Sequence, residues 1–304
     1  MKLALIGLGK MGANMVRRLA ADGHEVVVYD VDEALAASLQ ASLGSVTAVS
    51  NITDLIAALP VPRAIWLMVP HQFVDESIES LLSHGLSKGD LIIDGGNSNF
   101  NLSQQRAEYL NQSGIHFVDS GTSGGIWGLE NGYSLMVGGT KQAVAIIQPA
   151  LESLAPAKDK GWGHVGPSGA GHYVKMVHNG IEYGMMQSFA EGFEMLDAKQ
   201  EMHLDLLQVS EIWQHGSVVR SWLLDLMAEA FASDKSLSTL SDYVEDSGEG
   251  RWTVHDSIDL GVPTPVLTLA LQMRFRSRQQ NSFSGKVLNA MRAGFGGHRI
   301  HPAD

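Results

Sequence analysis

The side chains best suited to chemistry in this sequence stand close together in one segment: Lys175, His178, Asn179, Glu182 and Tyr183. At about 3.6 residues per turn, the first four fall on one face of a helix, with the phenol beside them. Lys175 and Glu182 are seven positions apart, so their directions on the helix differ by only about 20°. Such a face is either a solvated surface with charge pairs or a site in which an amine and a carboxylate transfer protons.

A glycine-rich turn near the start of the sequence is the first element that could hold a ligand for this helix. The motif G-x-G-x-x-G at 7–12 follows an apolar run at 2–6 and precedes a helical pattern, and a second strand then ends in Asp30. This order is typical of dinucleotide sites, because glycines allow a tight turn and close approach of a pyrophosphate to the helix N-terminus. A plain turn in another α/β protein is the alternative. The predicted cofactor contacts are Gly7, Gly9, Lys10, Met11, Gly12, Asp30, Val69 and Asn97.

Asp30 indicates which cofactor is used. Its carboxylate can accept hydrogen bonds from ribose hydroxyls and would repel a 2′-phosphate. NADP sites usually place an arginine just after this strand, whereas here Val31, Asp32 and Glu33 follow. The nearest basic residues in sequence lie on the preceding helix, at positions 17 and 18. The sequence therefore predicts NAD and favours it over NADP. Separately, no metal cofactor is expected.

Further apolar runs continue the alternation of strands and helices. The predicted strands are 64–70, 91–94, 116–119 and 133–139. Two of them are followed by small-residue loops, Gly-Gly-Asn-Ser at 95–98 and Ser-Gly-Thr-Ser-Gly-Gly at 120–125. In an open parallel sheet, ligands lie beyond the carboxyl ends of the strands. Exposed amides and hydroxyls there suit a carboxylate or hydroxyl ligand, although plain turns have the same composition.

Long helical patterns replace this alternation after Gly166. They cover about 169–197, 203–215, 219–231 and 264–293, the last with a possible break. Residues 246–252 are predicted to be a polar loop. The predicted fold is an N-terminal Rossmann-type, doubly wound α/β domain, 1–166, followed by an all-α domain, 167–304.

The first of these helices carries apolar residues on more than one face between 180 and 196. They include Ile181, Met185, Met186, Phe189, Phe193 and Met195. This distribution predicts a helix that is buried on several sides, and its Met and Phe residues are interpreted as core.

The composition of the sequence limits the kinds of partner that the protein can bind. The formal net charge is −12 with no basic stretch to offset it, which argues against nucleic acid and anionic membranes. An anionic substrate must then be held by a few local cations. Cysteine is absent, so disulfide and thiolate chemistry are excluded. The apolar N-terminal run is too short for a signal or membrane segment, and a cytoplasmic location is expected.

Four motifs in this order resemble the decarboxylating 6-phosphogluconate dehydrogenases, within the β-hydroxyacid dehydrogenase superfamily. They are G-x-G-x-x-G, Gly-Gly-Asn-Ser, Ser-Gly-Gly and Lys-x-x-His-Asn-x-x-Glu-Tyr. The last, together with the tail Arg-x-x-Phe-Gly-x-His, is the most specific part, and the resemblance covers nearly the whole chain. It implies oxidation of 6-phospho-D-gluconate to D-ribulose 5-phosphate and CO2, in the pentose phosphate pathway and gluconate utilisation.

The resemblance also implies roles for individual residues. Lys175 would take the proton of the substrate C3 hydroxyl, and Glu182 would protonate C1 of the enediol. To act as a base the lysine must be neutral, so we expect burial or cationic neighbours to lower its pKa. The implied substrate contacts are Asn97, Ser123, Gly124, Gly125, His178, Asn179, Tyr183, Arg274, Arg292 and His298. In the family the tail reaches a neighbouring subunit's site, which implies a homo-oligomer, a dimer or a tetramer.

Two departures from the family pattern stand out. Longer members carry Lys-Gly-Thr-Gly-Lys-Trp where this sequence has Ser-Gly-Glu-Gly-Arg-Trp at 247–252. Ser247 and Glu249 therefore replace a lysine and a threonine that bind the substrate phosphate, which leaves Arg274, Arg292 and His298 as its expected ligands. The second departure is length: at 304 residues the chain is much shorter than those members, whose helical domain is duplicated. It therefore resembles the short bacterial branch, in which NAD use is common.

Two other functions remain open. A β-hydroxyacid dehydrogenase could act on an unphosphorylated acid such as 3-hydroxyisobutyrate, without decarboxylation. Arg274, Arg292 and His298 argue against this, because one carboxylate clamp would suffice for such a substrate. A non-catalytic dinucleotide sensor is the other alternative, and the acid–base pair Lys175 and Glu182 argues against it.

Overall fold

A computed structural model describes residues 1–296 and 299 of the chain. This part contains an eight-stranded sheet in the order β3-β2-β1-β4-β5-β6-β7-β8. The strands are β1 (Lys2–Ile6), β2 (Glu25–Tyr29), β3 (Val46–Ala48), β4 (Ala64–Leu67), β5 (Leu91–Asp94), β6 (His116–Ser123), β7 (Ser134–Gly139) and β8 (Trp162–Gly166). Neighbouring strands are parallel except β6 and β7. The carboxyl ends of β1 to β6 therefore meet at one edge of the sheet.

Helices connect the strands and then make up most of the described residues after β8. The first seven are α1 (Lys10–Ala21), α2 (Glu33–Ser42), α3 (Ile52–Ala57), α4 (Val74–Ser83), α5 (Phe100–Gln112), α6 (Gly128–Asn131) and α7 (Lys141–Leu154). The later ones are α8 (Ala170–Ala198), α9 (Leu206–Gln214), α10 (Trp222–Ser233), α11 (Glu249–Asp259), α12 (Pro265–Ser277) and α13 (Phe283–Gly296). The predicted fold class, an α/β domain followed by helices, is confirmed.

Alternating side chains explain why the central strands form a sheet covered on both faces. In β1, Leu3 and Leu5 belong to one buried cluster, while Ala4 and Ile6 belong to a second. Successive side chains of a strand point to opposite faces, so a continuous apolar run fits a sheet with helices on both sides.

The chain divides into two compact units, Met1–His178 and a second that begins at Asn179. This division falls inside α8, twelve residues beyond the predicted boundary at 166, and the boundary itself stays a prediction. None of the described helices has the length and apolarity that crossing a membrane requires.

Several predicted elements need correction. β3 and β8 were not predicted, because β3 has only three residues and β8 is an edge strand with two glycines and a histidine. β6 continues to Ser123 instead of ending at Asp119, since antiparallel pairing with β7 extends it. The predicted loop at 246–252 ends early, because α11 begins at Glu249. The possible break in 264–293 is confirmed between α12 and α13.

The prediction that α8 is buried on several sides is wrong for the second unit. Phe193 is buried against Leu224 and Phe231, and Met186 packs beside Tyr183. In contrast, Ile181, Met185 and Met195 are exposed. Sequence periodicity detects apolar faces, but it does not tell which of them another segment of the same chain covers.

Candidate active site

The glycine turn between β1 and α1 is shaped for close approach of a ligand. Gly7 has φ +94, and a Cβ there would lie 2.7 Å from the Met68 carbonyl oxygen. A Cβ on Gly12 would collide with the Gly7 carbonyl oxygen, whereas one on Gly9 would meet nothing within 4 Å. No side chain of the described residues caps α1 at Gly9, so the amides of its first turn are left to an anionic ligand. The turn fits a dinucleotide pyrophosphate.

Asp30 is fixed at the carboxyl end of β2 by main-chain donors. The amide of Leu8 donates to its Oδ2 at 2.5 Å, and the amide of Asp32 donates to its Oδ1 at 2.9 Å. Each carboxylate oxygen keeps a further lone pair, which suits two ribose hydroxyls.

The two arginines nearest to this position in sequence have other partners. Arg18 donates to four main-chain oxygens around the end of α7, those of Leu129, Ser153, Leu154 and Ala155. Arg17 donates to Asn14 on its own helix at 3.0 Å. Neither geometry supplies the cation that a 2′-phosphate would need near Asp30.

A buried ion network builds the loop that presents Asn97. Asp94 is completely buried and accepts hydrogen bonds from the Gly96 amide at 3.1 Å and the Ser98 hydroxyl at 2.8 Å. Arg106 of α5 donates to the same carboxylate at 3.0 Å. These bonds leave Asn97 exposed at the tip of the loop.

The same loop lies against Val69, the second residue after the end of β4. A Cβ on Gly96 would be 2.9 Å from the Val69 carbonyl oxygen. Val69 and the Asn97 loop are therefore neighbours at the carboxyl edge of the sheet, as the cofactor prediction requires. Lys10 and Met11 lie in the first turn of α1.

The Ser-Gly-Gly turn follows β6 and has an open backbone. Gly124 and Gly125 have φ +126 and +52, and a Cβ on Gly125 would meet nothing within 4 Å. Successive amides in such a turn suit an anionic or hydroxyl ligand. Asn14 of α1 donates to the Ile126 carbonyl at 3.2 Å, which ties this turn to the dinucleotide helix.

The aromatic ring of Tyr133 packs against this turn. A Cβ on Gly124 would lie 3.3 Å from the Tyr133 ring, and one on Gly128 would collide with it. Burial raises the pKa of Tyr133 to about 12, so the phenol stays neutral.

Lys175 is buried on α8, with 8% of its surface exposed. It lies directly on β6, because a Cβ on Gly121 would collide with the Lys175 Cβ. His178, one turn later, is half-buried. Both residues belong to the first unit.

In the second unit, Glu249 is turned away from solvent. It is 2% exposed, and the Asn179 amide nitrogen donates to its Oε2. The carboxylate that replaces a family threonine is thus engaged with a predicted substrate residue. Glu182 is half-buried on α8.

Tyr183 and Arg274 are brought together in this unit. The Arg274 guanidinium carbon is 3.5 Å from the centroid of the buried Tyr183 ring, and the Ser247 amide donates to the Tyr183 hydroxyl at 3.2 Å. Arg274 Nη1 donates to the Glu245 carbonyl at 2.8 Å, and within the described chain it forms no ion pair.

The two neighbouring arginines share one acidic partner. Arg251 and Arg278 each pair with Asp246 at 2.7 Å, and the Arg251 hydrogen bond, helped by Arg278, lowers the pKa of Asp246. Of these three arginines, Arg274 is the one that forms no ion pair within the described residues, and it is the candidate cation for an anionic substrate group. Arg292 is exposed on α13, and His298 lies outside the described residues.

Comparison with known proteins identifies the family of this site. Residues 2–165 match the family model described as the NAD binding domain of 6-phosphogluconate dehydrogenase, and residues 171–293 match the 6-phosphogluconate dehydrogenase C-terminal domain. The chain belongs to the 6-phosphogluconate dehydrogenase family.

Two curated relatives are similar along their whole length. A protein of Haloferax volcanii, named 6-phosphogluconate dehydrogenase, NAD(+)-dependent, decarboxylating, is 44% identical over 307 residues, 100% of both chains. The protein YqeC of Bacillus subtilis is 44% identical over 298 residues, 98% of each chain. Among solved structures, Plasmodium falciparum 6-phosphogluconate dehydrogenase matches with a TM-score of 0.83 and 28% identity, covering 100% of this chain and 66% of that one.

The site residues missed by the sequence prediction are those that hold the others. Asp94 and Arg106 shape the Asn97 loop, Asn14 ties down the Ser-Gly-Gly turn, and Glu249 binds Asn179. The acid at the end of the fifth strand was visible in sequence, but its partners were not.

Proposed function

We propose that the protein oxidises and decarboxylates 6-phospho-D-gluconate to D-ribulose 5-phosphate and CO2, with reduction of NAD. The observation that carries this proposal is the 44% sequence identity, over the full length of both chains, to the Haloferax protein named as NAD(+)-dependent and decarboxylating. The residues described above supply the groups that this chemistry needs: a buried amine, a carboxylate on the same helix, and an unpaired arginine for a phosphate.

In the proposed mechanism Lys175 accepts the proton of the substrate C3 hydroxyl. Bound NAD supplies the acceptor for the C3 hydride. The substrate is then a 3-keto acid, and its carbonyl takes the electron pair released when the bond from C2 to the carboxylate breaks, so no metal is required. The protonated lysine stabilises the charge that develops on the oxygen and returns its proton to it, which gives the enediol. Glu182 then delivers a proton to C1 while the neighbouring hydroxyl gives its proton back to Lys175, which gives the ketose.

The remaining residues would bind and orient the substrate. Arg274, supported by the Tyr183 ring and the 245–247 segment, supplies a cation for the phosphate. The amides of Gly124 and Gly125, with Ser123 and Asn97, suit the carboxylate and the hydroxyls. His178, Asn179 and Tyr183 complete the proposed contacts on α8. Arg292 and His298 would reach the phosphate from the tail of a neighbouring subunit.

NAD preference over NADP follows from the first unit. Asp30 presents a fixed carboxylate, and Arg18 is committed to four carbonyls. We also propose a homo-oligomer and a cytoplasmic location, where NAD and sugar phosphates are available; cell fractionation tests the latter.

One assay tests the function. Purified protein is mixed with NAD and 6-phosphogluconate, and NADH absorbance is followed together with CO2 release. We expect equal amounts of both products. Turnover of 3-hydroxyisobutyrate without turnover of 6-phosphogluconate would replace this proposal by the dehydrogenase of an unphosphorylated acid. NAD binding without turnover of either acid would instead indicate a sensor.

A further inference from the structure

A completely buried carboxylate binds the first turn of α8, the helix that carries Lys175. Asp119 of β6 is 0% exposed. Its Oδ1 accepts a hydrogen bond from the Gly169 amide at 2.6 Å, and its Oδ2 accepts one from the His172 amide at 2.8 Å. Amides at a helix start have no partner within the helix, and a negative charge there is favourable. Asp119 therefore attaches the helix end to the sheet.

Glycines bring the two backbones into direct contact at this point. A Cβ on Gly171 would lie 2.6 Å from the Asp119 carbonyl oxygen and 2.8 Å from the Gly138 amide. A Cβ on Gly138 would lie 2.5 Å from Asp119 Oδ1. No side chain separates helix from sheet here, so a shift of the turn moves Lys175 with it.

The same turn is also attached to α5. The Ser103 hydroxyl and His172 Nδ1 are 2.7 Å apart, and both residues are buried. The rings of Phe100 and Tyr173 meet edge to face, 5.0 Å between centroids. The first turn of α8 therefore contacts β6, which leads into the Ser-Gly-Gly loop. It also contacts α5, which follows the Asn97 loop.

We propose that Asp119 is a positioning residue: its carboxylate fixes the first turn of α8 and thereby sets the position of the Lys175 amine. This inference rests on the proposed role of Lys175 as base. Lys175 stands three positions after His172, less than one helical turn from the anchored amide. A base must lie within hydrogen-bond reach of the proton that it removes, and a displacement of about 1 Å can lower the rate about 100-fold.

The test compares two conservative variants of buried aspartates in the full-length protein. Asp119→Asn keeps the size but turns an amide NH2 toward one of the two main-chain donors. Asp90→Asn is the control, because Asp90 is also 0% exposed and accepts from the amides of Arg63 and Ser87 at 2.7 and 2.9 Å. Asp90 also pairs with the Arg63 guanidinium at 2.9 Å, so its substitution removes an ion pair as well. It precedes β5, at the end opposite to Asn97.

We expect Asp119→Asn to bind NAD with the wild-type Kd and stoichiometry and to turn over about 100-fold more slowly per NAD-binding site. Asp90→Asn should keep the wild-type kcat per site even if its thermal midpoint falls. A purely structural role would lower NAD binding and activity in proportion. Equal kcat values per site for the two variants would overturn the proposal.

Amide hydrogen exchange supplies a readout that does not depend on activity. Exchange of residues 169–175 should accelerate in Asp119→Asn and not in Asp90→Asn, and unchanged protection would refute the anchoring role. If the wild-type protein fails to oxidise 6-phosphogluconate, the proposed function falls, while the exchange result still decides the role of Asp119. Should Asp119→Asn lose NAD binding, Asp119→Ser, a smaller residue that can still accept one amide, undergoes the same measurements.

Discussion

At the scale of single residues, the buried amine of Lys175 is the group on which the proposed oxidation depends. Lys175→Met keeps an unbranched side chain but removes the base. We expect kcat to fall by about 100- to 10,000-fold, the range that acid–base groups contribute, with NAD binding unchanged. Stopped-flow detection of NADH and titration of NAD measure the two quantities. Lys199→Met, at an exposed lysine paired with Glu201, is the control. Weakened NAD binding in Lys175→Met would assign the lysine to the cofactor instead.

Asp30 is the residue that should select the cofactor. In Asp30→Ser combined with Val31→Arg, a carboxylate is lost and a cation appears at a position that is 91% exposed. Charged hydrogen bonds contribute about 1.5–3 kcal/mol, so the NAD/NADP ratio of kcat/KM should fall about tenfold or more. Glu33→Ser removes an equal charge in the first turn of α2 and should leave the ratio unchanged. A ratio that does not move in the double variant would reject Asp30 as the selector.

At the scale of elements, the ion network of Asp94 and Arg106 joins β5, its loop and α5. Arg106→Ala would leave the completely buried Asp94 charge without its cation, which costs about 3–5 kcal/mol of unfolding free energy. The loop should loosen as well, which should raise KM for the substrate that Asn97 is proposed to contact. Urea unfolding and steady-state kinetics measure both effects. Lys235→Ala breaks an exposed pair with Asp205 and should change little; equal losses in the two variants would contradict the network's role.

Elements whose signal is local in sequence were predictable. The turn from Gly7 to Gly12 and the acid at position 30 are recognisable from residue type and spacing, and the structure places them at one sheet edge. β3 and β8 were missed because short edge strands lack a continuous apolar run. α11 starts earlier than expected. Its first residue, Glu249, has a side chain typical of a polar loop, but here it is buried and accepts a hydrogen bond from Asn179.

The support of the site was not predictable for a different reason. Asp119 binds amides that are 50 and 53 positions away, and Asn14 binds a carbonyl 112 positions away. Such pairs are decided by strand order and by where backbones touch, as at Gly121 and Lys175. A single sequence contains the residues but not the pairing.

At the scale of the whole molecule, the buried His24 should make the unfolding free energy depend on pH. His24 is buried beside Ser153, with Nε2 2.8 Å from Oγ, and burial lowers its pKa from 6.5. The unfolded chain then takes up a proton below about pH 6.5 before the folded chain does. The contribution of neutral His24 to the unfolding free energy should be fully present above that pH. It should be lost as the pH drops through the pKa of His24 in the folded protein. Unfolding in urea at pH 7.5 and 5.5 tests this, and His24→Gln should flatten the dependence, whereas exposed His84→Gln should not.

The proposed sharing of tails makes a prediction about the assembly. Exposed apolar residues of the second unit, among them Val266, Leu269 and Phe283, are suited to an interface with another copy. If Arg292 serves the neighbouring site, each site takes its Lys175 from one chain and its Arg292 from the other. In a mixed dimer, one site carries both defects and the other carries neither.

Mixing the two variants after co-refolding therefore distinguishes a tail that acts within its own chain from one that acts on a neighbour. Half of the randomly formed dimers are mixed and each holds one intact site, so activity should recover to about a quarter of wild type. Each variant refolded alone is the control and should stay low. If each tail served its own chain, every site in every dimer would carry one of the two defects. The mixture would then show only the mean of the two separate activities.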